Sequence, residues 1–466
     1  ILISSATHKA AGPACVTVAG ASRDLKGFTD PVDVFAVDSI DQSTTRSAPT
    51  VVLNALHTAP TLALLAGAGL AALTATGLNP ASADAQWPTL ADAGIGYLSE
   101  SGMFQMDLSG QLDLELLYFE NEELGLSGLA YGGGALFAPR LRLFLDTFYG
   151  DQIYALVEFR ADRGEAPTAD VWEGRVEQAY LRVATGDGTV ALQGGIFASP
   201  FGSYSTRHLS VVDPFIRPPL MYDYRTVISR RAAAPTEEQF ARWKYDPEAW
   251  RTDGAPPLWA VPYQWGGMVT LAKSFLTGRF AVMNSAPSSE PAAWYDFEVL
   301  GKPSFVGGLR AKVSPEVSMG LSYNKGPYVR TDSVRPSTST YNTAYDRKMW
   351  TYDQEMWAID ADFARGPIML RGEFVHDAWD VPNVEPLAID LGFNFEAQVD
   401  VATGWSVAAR YGRIDFNEIS TFGDWDWDVT RWEGSVGYRI TLNAGVLVSY
   451  AMTSDVGPLD PRDNLT

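Results

Sequence analysis

The residues of this chain that could do chemistry are charged side chains set two apart between apolar ones. Arg140 and Arg142 precede Asp146, Glu158 precedes Arg160, Arg310 precedes Lys312, Arg371 precedes Glu373, and Arg182, Arg410 and Arg439 stand singly, each flanked on both sides by an apolar or aromatic residue. A spacing of two places such groups on one face of a β-strand, with Leu141, Leu143 and Leu145 on the other. The chemistry this permits is electrostatic: fixed charges facing water that attract, repel or screen ions. Catalysis finds no comparable set. There is no phosphate-binding loop, no His-Glu-x-x-His and no Gly-x-Ser-x-Gly, and the four histidines, His8, His57, His208 and His376, show no metal-ligand spacing. Cys15 is the only cysteine, which excludes a disulfide framework, a thiolate zinc site and an iron-sulfur cluster. The expectation is a protein that is not an enzyme and that uses no metal and no cofactor.

The elements that must position these charges are strands. Leu112-Asp113-Leu114-Glu115-Leu116 alternates strictly, and near the end Trp432, Val436, Tyr438 and Ile440 interleave with Arg431, Glu433, Ser435 and Arg439. One such segment would suit a half-buried strand of a soluble sandwich. Repetition and connector length favour another fold. Fifteen strands are legible, from 103–119 and 140–149 through 431–440 and 445–453, with an unfinished one after Pro461. Tight turns such as Gly150-Asp151, Thr185-Gly186-Asp187-Gly188 and Arg365-Gly366-Pro367 fall on every second connection, and long connections fall between them. Apart from the N-terminal region, no 18-residue apolar stretch offers a transmembrane helix. The predicted fold is all-β: a transmembrane antiparallel β-barrel of about 16 strands, with short periplasmic turns and long extracellular loops.

With lipid outside, the apolar face must point outward. That makes Arg140, Arg142, Asp146, Glu158, Arg160, Arg182, Arg310, Lys312, Arg371, Glu373, Arg410 and Arg439 candidate pore-lining residues. Turning a midplane Arg or Lys to lipid instead would cost roughly 2–4 kcal/mol. Tyr118, Tyr149, Trp357 and Trp405 suit interfacial aromatic belts. His376, on the parity of Leu370 and Phe374, is expected on the outer face. The longest connection, about 198–264, holds eight Lys/Arg against seven Asp/Glu in an otherwise acidic chain. It is a candidate constriction loop, with Arg207, Arg217, Arg225, Arg230 and Arg231 as its candidate anion-favouring groups. The run Asp424-Trp425-Asp426-Trp427-Asp428 is expected to dip into the headgroup region.

Net charge is −21 over 466 residues; residues 1–85 carry four Lys/Arg against six Asp/Glu, so −19 falls on the remainder. Such acidity disfavours nucleic acid as a partner. The leucine- and alanine-rich stretch 61–78, followed by Asn79-Pro80-Ala81-Ser82-Ala83-Asp84-Ala85, reads as the end of a signal peptide over 51–85, cleaved after Ala83 or Ala85. The chain opens on Ile1 and its first methionine is Met103. Residues 1–50 are therefore expected to be upstream read-through or disordered, and 86–466 to be the barrel, with its final strand truncated.

Val190-Ala191-Leu192-Gln193-Gly194-Gly195-Ile196-Phe197-Ala198-Ser199-Pro200-Phe201-Gly202 resembles the segment of the phosphate-selective porin O and P type family where a strand ends in a Pro-Phe-Gly turn. Glu177-Gln178-Ala179-Tyr180-Leu181-Arg182, Arg371-Gly372-Glu373-Phe374-Val375, Arg431-Trp432-Glu433 and Gly437-Tyr438-Arg439 follow the same order, so the resemblance spans roughly 100–460. It implies a barrel of about 16 strands, usually a homotrimer, in the outer membrane of a Gram-negative bacterium among lipid and lipopolysaccharide, passing small solutes or ions. The family's phosphate preference rests on lysine-rich constrictions. After residue 85 this chain has only Lys244, Lys273, Lys302, Lys312, Lys325 and Lys348, scattered. The expectation is a general or weakly anion-preferring porin; the alternative is a structural or adhesive barrel with a plugged lumen.

Overall fold

Segments rich in Val, Leu and aromatic residues with a period of two settle into strands, because each face then meets a single environment. The structure, a computed structural model, describes residues 2–4, 15–23, 32–40, 51–53, 95–119, 134–163, 172–229, 232–245, 254–289, 291–294, 302–329, 335–336, 352–419, 423–441 and 443–455. The chain divides into two compact units, 1–48 and 49–466. In the first, Leu2–Ser4, Cys15–Arg23 and Val32–Ile40 pair as a three-stranded antiparallel sheet.

The second unit is a closed barrel. Its strands are β1 (Ile95–Leu98), β2 (Phe104–Phe119), β3 (Gly134–Tyr149), β4 (Ile153–Asp162), β5 (Glu173–Ala184), β6 (Val190–Ala198), β7 (Tyr263–Lys273) and β8 (Leu276–Met283). They continue as β9 (Ser304–Lys312), β10 (Val317–Pro327), β11 (Asp353–Arg365), β12 (Ile368–Trp379), β13 (Leu387–Ala402), β14 (Trp405–Phe416), β15 (Val429–Thr441) and β16 (Ala444–Asp455). Each strand from β1 to β16 is antiparallel to the next. Val51–Leu53 closes the ring, running parallel to both β16 and β2. The expected fifteen strands are all present, and the sixteenth antiparallel strand is β1. The segment after Pro461 and the rest of the candidate signal peptide, 54–85, lie outside the described residues.

Connections alternate without exception. Short ones, such as 150–152, 274–275, 366–367 and 403–404, follow the odd-numbered strands, and long ones, such as 199–262 and 328–352, follow the even-numbered strands. All short turns therefore gather at one end of the barrel and all long connections at the other. The outward faces carry exposed apolar side chains, including Leu116, Phe137, Leu192, Phe280, Ile359 and Phe374. Tyr149 and Trp405 are exposed at the short-turn end, and Tyr118 and Trp357 toward the long-connection end. His376 is also exposed, on the outer face. Among the described residues no helix is long and apolar enough to cross a membrane. The chain is read as crossing by its strands.

Candidate functional site: the barrel lumen

The inner faces carry a ladder of charges. Arg140 bonds Glu115 at 2.9 Å and approaches Asp162 at 3.4 Å; Arg142 lies 3.3 Å from Asp113 and 3.5 Å from Glu158. Arg160 pairs with Asp162 and meets Glu177 at 3.2 Å. Asp146 accepts the Tyr154 hydroxyl at 2.5 Å. Across the ring, Arg310 pairs with Asp360 and with Asp362, and Arg371 lies 3.7 Å from both Asp362 and Glu396.

Two members of this ladder escaped sequence parity. Counting back from Tyr180, which packs on Phe197 inside, would put Arg175 and Glu177 outside. A β-bulge opposite Glu158 and Phe159 resets the face. Val176 turns outward instead, while Glu177 is 2% exposed and receives Arg175 at 2.7 Å. Arg279 was missed for a simpler reason: Gly278 before it carries no side chain, so the alternation that marks a face is lost on that side. It pairs in register with Thr270 and Gly308 and lies near Arg182 and Arg310. Arg182, Arg279, Lys312 and Arg439 are exposed, and among the described residues none of them forms an ion pair.

The connection between β6 and β7, residues 199–262, turns inward as a strap. Gly202 starts it with φ +71°, a conformation that favours glycine, and a Cβ there would stand 3.0 Å from Glu373 Oε1. Glu373 on β12 is the first anchor, accepting the Ser203 N–H at 2.7 Å and the Tyr222 hydroxyl at 2.8 Å. Arg207 forks onto Glu396 of β13 with bonds of 2.8 and 2.9 Å, a charge-assisted bidentate pair. Arg410 donates to the carbonyls of Arg217 and Pro218 at 2.5 and 3.0 Å, and Arg431 reaches Asp223 at 2.6 Å. Further round, Ser210 donates to Asp113 of β2 at 2.6 Å. Gly392 makes room for the strap, because a Cβ there would lie 2.5 Å from Met221 Sδ.

Of the candidate constriction residues, Arg207 is bound to Glu396, Arg217 lies 2.8 Å from Asp223, and Arg225 is buried over the Trp259 ring at 5.3 Å. Arg230 and Arg231 lie outside the described residues. His208 Nδ1–H donates to Ser205 O at 2.7 Å, leaving Nε2 to accept from Tyr263 at 3.0 Å. Burial, then the nearby Arg142, depress its pKa to about 3, so it is neutral. Burial pushes Asp213, also on the strap, up to about 6.

The Asp424–Asp428 run does not dip toward headgroups, which is a correction. Trp425 and Asp426 are fully buried: Trp425 packs edge-on against Trp379 and Phe416, and Asp426 accepts the strap's Val227 N–H at 3.1 Å. Lys244 caps the run over the Trp427 ring at 4.6 Å. Packing against the strap, which local sequence does not encode, supplies the apolar partner. Among the described residues no cluster of His, Cys, Asp or Glu could hold a metal ion.

No family model and no curated protein matches the chain. Solved structures do. It is similar to OmpF of Salmonella typhi in complex with daunomycin (11% identity, 76% of this chain and 92% of that one, TM-score 0.46). It is also similar to the anion-selective porin of Comamonas acidovorans (10%, 76% and 89%, 0.45). A third is OmpT, an outer membrane protein of Vibrio cholerae (10%, 78% and 88%, 0.44).

Proposed function

We propose that the protein is an outer-membrane porin of a Gram-negative bacterium, through which small hydrophilic solutes and ions diffuse passively. The observation that carries this reading is the strap: it leaves β6, is pinned to Glu373 and Glu396 across the lumen, and narrows a passage whose walls stay charged. Fixed loops and wall charges are what a diffusion pore uses to set size and selectivity. A weak anion preference is supported by Arg182 and Arg279, exposed and without ion pairs among the described residues. Phosphate selectivity finds no lysine cluster to support it. A homotrimer among lipid and lipopolysaccharide is the assembly that the sequence resemblance implies.

The test is single-channel recording of the refolded chain in planar bilayers. Stable ohmic steps are expected, with a reversal potential displaced toward anions in a salt gradient. Correctly folded protein that conducts nothing would sink the porin and favour a plugged structural barrel.

A further inference from the structure

Four neighbouring strands, β5 to β8, each present to the lumen a polar side chain that has no hydrogen bond and no ion pair among the described residues: Arg182, Gln193, Thr270 and Arg279. We infer that this stretch of inner wall, with the aromatic rings beside it, binds a sugar acid, a polyhydroxylated carboxylate; the inference rests on the porin reading above only for the route by which the solute arrives.

The four side chains form one patch. Arg182 stands opposite Gln193 in register, Thr270 stands opposite Arg279, and Thr270 is diagonal to Gln193, two residues beyond its partner Met268. Opposite side chains on a sheet lie about 5 Å apart and diagonal ones about 7–8 Å. Both arginines are exposed, while Gln193 and Thr270 are half-buried. Carboxylates to either side are engaged elsewhere. Asp146 accepts the Tyr154 hydroxyl at 2.5 Å, and Asp360 and Asp362 pair with Arg310. The patch therefore offers two unmatched guanidinium forks, an amide and a hydroxyl, all able to donate. Such forks are suited to a carboxylate.

Rings adjoin the charge. The other in-register neighbour of Arg182 is Tyr154, which in turn faces Phe148. Their ring centroids are 5.0 Å apart, and Tyr180 meets Tyr154 edge-on at 6.0 Å. All three rings are half-buried on the inner wall, so part of each is open to the lumen. An aromatic ring offers an apolar surface on which the C–H face of a sugar can lie. An inorganic oxyanion would use the arginines and leave the rings idle, and a neutral sugar would do the opposite. A sugar acid uses both, with its hydroxyls left for Gln193 and Thr270.

The probes are sodium glucuronate, sodium acetate and glucose at equal ionic strength. They are read as block of single-channel current in planar bilayers and as heat of binding to detergent-folded protein. Glucuronate should act at about tenfold lower concentration than either comparator, since acetate lacks the ring contact and glucose the charge-assisted bond. Arg182→Gln should weaken glucuronate about tenfold and glucose less than about twofold. Phe148→Leu should weaken both sugars about two- to tenfold and leave acetate unmoved. Arg279→Gln, on a different strand, should also weaken glucuronate and carries the test if Arg182→Gln does not fold. Equal action of glucuronate and acetate, equal action of glucuronate and glucose, or arginine variants that bind glucuronate as the parent does would each overturn the assignment. Heat of binding from glucuronate without any conductance would instead overturn the porin reading and leave the wall site standing.

Discussion

Arg410 on β14 and Arg182 on β5 occupy inner faces of the same barrel. Arg410 is 2% exposed, clasped by Glu433 at 2.5 Å and Glu396 at 3.5 Å while it also holds two strap carbonyls. Arg182, two residues from a short turn, is exposed and makes no ion pair among the described residues. A buried guanidinium is tolerable only where its charge is matched, and a matched charge has little field left for a passing ion. The strap side thus uses arginine as a fastener, and the short-turn side keeps it available to solution. Residue type alone does not separate these roles; the number of carboxylates within reach does.

Glu396→Gln should break this contrast most severely, since it strips buried Arg207 of its bidentate carboxylate and Arg410 of one of its two. A loss of about 3–5 kcal/mol is expected for one partner of a buried pair, together with larger, noisier conductance as the strap loosens. Thermal unfolding in detergent and bilayer recording check the two effects, and an unchanged melting temperature would remove the fastener role. Arg182→Glu combined with Arg279→Glu should do the reverse. Selectivity should move toward cations while stability shifts by less than about 1 kcal/mol, as for exposed charges. A reversal potential identical to the parent's would show that these groups lie off the ion path.

His208→Gln should have the smallest effect. The folded imidazole has a pKa of about 3, against about 6.5 for a free histidine. Between these values the unfolded chain binds the proton and the folded one does not, so acidification below pH 6.5 lowers stability in the parent and less so in the variant. Above pH 6.5 the two should melt alike, and their conductance should be indistinguishable from pH 5 to pH 8. A conductance step near neutral pH that vanishes with His208→Gln would contradict the neutral, strap-bound imidazole.

Much of the fold was legible because alternation is local: a run such as Leu112 to Leu116 declares its two faces within five residues. β1 was not, since Ile95–Leu98 is too short to show a period. The faces of many wall charges follow from parity, but parity cannot foresee the bulge that admits Arg175 and Glu177. Nor can it say which charges pair. Arg207 and Glu396 stand 189 residues apart, and only the inward course of the strap brings them together. The same distance hides Trp425, whose flanking aspartates read as surface until the strap covers it.

The gathering of all short turns at one end has a kinetic consequence. Carrying polar backbone and charged side chains through hydrocarbon costs several kcal/mol per unsatisfied group, so the end bearing 150–152, 274–275 and 403–404 is the one able to lead through a bilayer. Protein added to one side of a planar membrane should therefore insert with a single polarity. Any asymmetry in the current through one barrel would then add across thousands of barrels, and the whole membrane would rectify in a fixed direction set by the side of addition.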